Sequence, residues 1–217
     1  LSLHEMVDEE NLPAFCNMLL MWEVSTITNM DNLFQNIEIF NCDISEWNVS
    51  SVTSMRRMFY KTDEFNTNLS KWIVSSVKNM EGMFENAMTF NSSIGNWDVS
   101  AVTSMTNMFK HASIFNADIS TWYVNNLQNM DYMFYGAQKF SRKISSWNVS
   151  NIKSMSMMIK GADNFDKDIS TWEVSLKIPK KFDSMPLFDS SHGRIAGIAG
   201  TSVSDGNIIA LGFPSYD

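Results

Sequence analysis

Apolar positions recur along this chain with a period of 25 residues. In the unit that begins at Ile44 they are Ile44, Trp47, Val49, Val52, Met55, Met58, Phe59 and Phe65. Trp47 and Val49 alternate with the polar Glu46 and Asn48, the two-residue period of a short strand. Val52, Met55, Met58, Phe59 and Thr62 then fall three and four apart, the spacing of one helical face. Ser50 or Ser51 precedes that run and suits a helix N-cap. A return loop carries Phe65, Asn66 and Leu69. The pattern therefore predicts a strand, a short helix and a loop in every unit.

The columns persist through the array. Trp22, Trp47, Trp72, Trp97, Trp122, Trp147 and Trp172 are 25 apart, and no Trp lies elsewhere. Val24 through Val174 repeat in the same way, as do Met30 through Met155 and Phe15 through Phe165, while Ile159 closes the Phe34 column. One unit is too small to bury its own apolar face, so stacking of neighbours must complete the core. The expected fold is α/β: a leucine-rich-repeat-like solenoid with a parallel sheet on one face. Residues 1–21 are expected to form a partial repeat or cap, 22–176 six 25-residue repeats, and 177–217 an exit loop and β-hairpin. The first residue is Leu1, with no basic-then-apolar leader, which reads as a processed or excised chain.

Polar columns fit a scaffold role. Asn41, Asn66, Asn91 and Asn116 follow the Phe column, and Ser141 and Asp166 continue it. Such a ladder, turned inward, can satisfy backbone groups of the loops. Ser25, Ser50, Ser75, Ser100, Ser150 and Ser175 sit where strand should pass to helix.

The stretches FNCDISEWNVSSVTSMRRMF and FNADISTWYVNNLQNMDYMF resemble the BspA-like leucine-rich repeat family of surface proteins. The likeness covers roughly residues 15–175, with departures such as Gly95, Asn125, Ser141, Ile159 and Asp166. It implies an extracellular or surface-exposed protein used in adhesion or interaction, and it carries over no catalytic residue. Near the C-terminus, GTSVSDGNIIALGFPSYD resembles the opening of an FG-GAP-type β-propeller repeat. Asp205-Gly206-Asn207 is its hairpin signal. Both the start of a further domain and a cap on the last rung fit this stretch.

Charge and chemistry narrow the function classes. A net charge of −8 argues against nucleic-acid partners, which reward clustered Lys and Arg. No apolar run is long enough to insert into a membrane. His4, His111 and His192 are isolated, and no metal-ligand or cofactor motif appears. The Asp43, Asp118, Asp168 column is interrupted by Asn68, Ser93 and Lys143, which argues against a calcium ladder. The 17 Met residues fall mostly on core columns, where packing explains them. No cofactor and no catalytic set is expected. Cys16 and Cys42 are one repeat plus one residue apart, so stacked rungs bring them within range of a bridge, or leave two buried thiols. Asn48, Asn68, Asn91 and Asn148 open Asn-x-Ser triplets, possible glycosylation sites in a secreted chain.

Binding is expected where residues vary on a constant frame. Between Trp and Val lie Glu23, Asn48, Ile73, Asp98, Tyr123, Asn148 and Glu173, and Lys71 precedes its Trp. Ile73 and Tyr123 form an apolar centre between acidic ends. The expected function is non-enzymatic adhesion to a protein or glycan through this face. The alternative is a structural subunit of a filament, sheath or coat, joined to copies of itself or other coat proteins.

Overall fold

The computed structural model describes residues 3–172. Its only helices among those residues are α1 (Leu3–Met6) and α2 (Leu12–Leu19), both ahead of the first Trp. Among the described residues, the repeats contain neither the predicted helices nor the predicted sheet. Each rung is instead a succession of tight turns joined by short irregular links, stacked on the next in 25-residue register. The expected α/β solenoid with a parallel sheet is thus corrected to a coil of turns.

The reason is visible in one rung. A helix needs every residue in the right-handed region. Here Arg57 and Lys61 have φ of 52° and 55°. The same two columns are left-handed in the other rungs, through Asn32, Asn36, Gly82, Asn86, Asn107, His111, Tyr132, Gly136, Met157 and Gly161. A left-handed residue every fourth position stops a helix. It also turns alternate N–H groups outward. Those of Met55, Arg57, Phe59 and Lys61 donate to the carbonyls of Asn79, Glu81, Met83 and Glu85 in the next rung at 2.8–3.0 Å. Between them, Met58 and Tyr60 donate to Met55 and Arg57, closing three-residue turns at 3.2 Å. Each turn returns the chain to the same side after three or four residues. The apolar spacing therefore mimics a helix while the backbone makes none.

The predicted strand also fails to form. The Trp47 N–H bonds back to Ile44 and the Val52 N–H to Val49, so Trp47 and Val49 lie between turns. Among the described residues, parallel pairing survives only as single bridges at Asn29, Ser54, Asn79, Ser104, Asn129 and Ser154, the column just before the Met column. Ser50 caps no helix; its N–H and hydroxyl donate to Asn48 Oδ1 at 3.2 and 2.7 Å.

The core is a set of ladders. Val52, Met55, Met58, Phe59 and Phe65 are fully buried, as are their equivalents in the next rungs. Within a rung, Phe84 and Phe90 stack at 3.7 Å; across rungs, Phe59 meets Phe84 at 5.5 Å and Phe65 meets Phe90 at 5.9 Å. The indoles form a second ladder at 6.2–6.4 Å, for example Trp72 on Trp97. The Asn ladder does serve loop backbones: Asn41, Asn66, Asn91 and Asn116 accept the N–H groups of Asn66, Asn91, Asn116 and Ser141 through Oδ1 at 2.7–3.0 Å. It runs along the surface rather than inside, since Asn41, Asn66 and Asn91 are exposed.

At the N-terminal end α2 covers the first rung, burying Phe15 and Leu19. A disulfide joins Cys16 of α2 to Cys42, with Cα atoms 5.1 Å apart. Glu173 and the predicted C-terminal loop and hairpin lie outside the described residues.

Candidate interaction face

The Trp–x–Val column lies on the surface. Glu23, Asn48, Ile73, Asp98, Tyr123 and Asn148 are all exposed, with Ile73 at 61% and Tyr123 at 72%. Its polar members have a structural task. Glu23, Asn48, Asp98 and Asn148 accept the N–H groups of Ser25, Ser50, Ser100 and Ser150, two residues on, at 2.9–3.2 Å. These bonds hold the turn that follows each Val. They also hold the carboxyls of Glu23 and Asp98 below the usual carboxylate range, the Ser25 and Ser100 bonds being the main cause. Ile73 has no side-chain oxygen, and the Tyr123 oxygen sits at the far end of a rigid ring, so neither caps the N–H two residues on.

A parallel column uses the same device. Asp43, Asn68, Asp118 and Asp168 accept the N–H groups of Ser45, Ser70, Ser120 and Ser170 at 2.8–3.0 Å. The three aspartates are lowered in pKa by these bonds. Their regularity reflects turn capping. Among the described residues, no three His, Cys, Asp or Glu side chains converge to hold a metal ion.

The residues before each Trp tie rung to rung. Lys71 Nζ pairs with Glu46, and the contact raises the lysine's pKa. Thr121 and Ser146 donate to the carbonyls of Gly95 and Ser120 at 2.8 and 3.0 Å. Of the predicted binding residues, Lys71, Glu23, Asn48, Asp98 and Asn148 are therefore already engaged within the scaffold. Ile73 and Tyr123 are exposed without such a role.

The four sequon asparagines are exposed. Asn48, Asn68 and Asn148 cap turns through Oδ1, while Asn91 belongs to the Asn ladder.

Two features carry no simple periodic signal. A cleft of about 180 Å³ opens at the first two rungs, lined by Leu20, Trp22, Glu23, Val24, Asp43, Ile44, Glu46, Trp47 and Asn48. In the turns that carry the left-handed columns, Arg57 and Lys61 approach the ring of Tyr60 at 5.4 and 5.6 Å, and His111 meets Tyr135 edge-on at 5.3 Å. Burial, then Lys110, holds His111 below the usual histidine range. There Lys110 pairs with the buried Glu85 at 3.0 Å, and Arg57 Nε and Glu85 Oε2 are buried without partners beside Gly82. Both sites arise where a column is broken or changes residue type, which only the stacked register reveals.

A family model described as "Mycoplasma protein of unknown function, DUF285" matches residues 1–122 and again 89–191. The chain belongs to this family. The two overlapping matches follow from the repeat, since the same column pattern recurs along the array. No curated protein matches the chain. No solved structure matches it either. Among the described residues of this DUF285 protein, no helix is long and apolar enough to cross a membrane.

Proposed function

We propose that this DUF285 protein is a non-enzymatic surface or extracellular protein that binds a protein or glycan partner through its Trp-side face. The observation that carries this reading is the contrast within one column. Glu23, Asn48, Asp98 and Asn148 cap turns, while Ile73 and Tyr123 stand 61% and 72% exposed and give their rungs no cap. A residue that weakens its own rung and faces solvent has its use outside the fold. Tyr is a favoured interface anchor. Two rungs separate it from Ile73, or roughly 10 Å at the ~4.8 Å spacing of paired chains. That span matches one short patch of a partner.

The Cys16–Cys42 bridge supports an extracellular setting, because disulfides persist in oxidising compartments. The likeness to BspA-like surface proteins supports the same reading. A filament or coat subunit would need an open end for stacking. The α1–α2 cap, which buries Phe15 and Leu19, weighs against that at the N-terminal end.

The test is adhesion of beads coated with the full chain to extracellular matrix proteins and immobilised glycans. The double variant Ile73→Ala/Tyr123→Ala should lose most of the binding with little change in melting. Equal adhesion by the variant would sink the reading. Light scattering across a wide concentration range should show monomers; long assemblies would favour the coat subunit.

A further inference from the structure

The first indole of the ladder differs from all that follow. Trp47, Trp72, Trp97, Trp122, Trp147 and Trp172 each donate Nε1–H to a carbonyl 28 residues back at 3.0–3.2 Å. Each is only 3–8% exposed. At Trp22 the place of a preceding rung is taken by α2. The Leu19 carbonyl there already accepts the Trp22 backbone N–H and the Trp47 indole N–H, both at 3.2 Å. Trp22 Nε1 has no hydrogen-bond partner among the described residues, and its ring is only partly buried. It stacks on Trp47 at 6.2 Å and lines the cleft of about 180 Å³ with Glu23, Asp43, Glu46 and Asn48.

We propose that this cleft binds a single neutral sugar residue. A sugar ring has an apolar C–H face and hydroxyls that both donate and accept. The cleft supplies the complements of each. The indole offers a partly exposed apolar ring and an unpaired donor. Glu23 and Asp43 spend Oε1 and Oδ1 on the N–H groups of Ser25 and Ser45. An ionised carboxylate has about four acceptor positions, so each keeps capacity for a hydroxyl. The size agrees: about 180 Å³ holds roughly six waters at ~30 Å³ each, and lies below the ~300 Å³ at which drug-sized ligands fit. A ring-sized group is the match. A cation suits the cleft less well, because Lys71 already supplies one to Glu46 and a cation makes no use of the indole N–H.

The site goes beyond the face proposed above: its residues are separate from Ile73 and Tyr123, and its ligand is one sugar ring. The experiment is an NMR titration of the 15N-labelled full chain with the methyl glycosides of glucose, galactose, mannose and N-acetylglucosamine. At least one glycoside should move the Trp22 indole N–H resonance saturably, while the six bonded indoles deeper in the ladder move little. Trp22→Phe keeps a ring and removes the donor, and should weaken binding about tenfold. Glu23→Gln keeps the turn acceptor and should weaken it severalfold, a check that does not disturb the cap. Ile73→Ala/Tyr123→Ala should titrate like the parent. Four silent glycosides would overturn the proposal, as would unchanged binding by Trp22→Phe or a response to tetramethylammonium alone. If glycoside binding were lost only in Ile73→Ala/Tyr123→Ala, the sugar would lie on the wider face and the cleft assignment would fall alone.

Discussion

Trp97 reaches one rung back and donates its indole N–H to the carbonyl oxygen of Leu69 at 3.0 Å. That oxygen also accepts the backbone N–H of Trp72, three residues after it, at 3.1 Å. One carbonyl thus closes a turn in its own rung and fastens the next rung. This double use gives the indole a task at Trp47 and at every later Trp of the column, which Trp22 does not share. Phe would fill much of the same space but could not donate.

Replacing Trp97 by Phe tests that account. Leu69 would keep the Trp72 N–H, so no buried carbonyl is orphaned, and the expected loss is about 1–2 kcal/mol. Trp97→Ala also opens a cavity and should cost about 3–5 kcal/mol. Urea unfolding of the full chain measures both. A Phe variant as stable as the parent would mean that the indole is retained for bulk alone.

Acid should loosen the turn caps. Asp43, Asp98 and Asp118 are held below the ordinary aspartate range, chiefly by the bonds from Ser45, Ser100 and Ser120. Their folded pKa values lie below the unfolded ones, so the folded state binds fewer protons in that window. The stabilisation is complete above the ordinary aspartate pKa and is lost as pH falls through the lowered folded values. Asp63 is raised, first by burial and then by Glu38, and acts in the opposite sense: its ionisation weakens the fold as pH rises through its folded value. With more groups lowered than raised, melting temperature should fall on acidification below the ordinary aspartate range. Asp98→Asn retains the Oδ1 acceptor and should reduce the acid slope without much loss at neutral pH. An unchanged slope in Asp98→Asn would remove this residue from the account.

Backbone handedness gives a directional prediction. Met157 holds φ of 50° with a side chain that disfavours it, whereas Gly161, four residues on, has φ of 75°. Met157 is also exposed, at 43%. Met157→Gly should stabilise the chain by about 1 kcal/mol, because the left-handed region costs an ordinary residue roughly 1–2 kcal/mol. Gly136→Ala should do the reverse: φ is 69° and the new Cβ would lie 2.4 Å from Nδ1 of His111. Opposite shifts in melting temperature would support the turn-built rung, and two shifts of the same sign would contradict it.

The cap depends on its disulfide. Cys16 and Cys42 are 26 residues apart, and a closed loop of that length stabilises by about 3.5 kcal/mol in the chain-entropy model. Reduction, or Cys42→Ala, should lower the unfolding free energy by that order, read as a fall in the urea midpoint. Amide exchange should rise most in α2 and the first rung, since each rung contacts mainly its neighbours. A uniform rise along the array would show that the cap controls the whole coil.

Much of the frame was legible in the residues. The period and the buried ladders follow from Trp, Val, Met and Phe recurring every 25 positions, since stacked identical rungs place like side chains together. The secondary structure was not legible. Val52, Met55, Met58 and Phe59 return to one side whether the backbone is a helix or a run of tight turns. Asn and Gly in the left-handed columns were the available warning, in Asn32, Asn36, Gly82, Asn86, Asn107, Gly136 and Gly161. Arg57, Lys61, Tyr132 and Met157 share those columns and obscured it. The candidate face divides in the same way. Exposure of Ile73 and Tyr123 was readable from position, whereas the cap bonds of Glu23, Asn48, Asp98 and Asn148 depend on turn geometry.

The sequence by itself determined which side chains lie in register, because a strict repeat leaves stacking as the way to bury its apolar columns. Tertiary structure alone decided how the backbone travels between them. Each N–H can close its own turn or donate to the next rung, and that choice is settled only when the next rung is present. It also decided that Trp22, alone in its ladder, meets α2 rather than a rung whose carbonyl could accept its N–H.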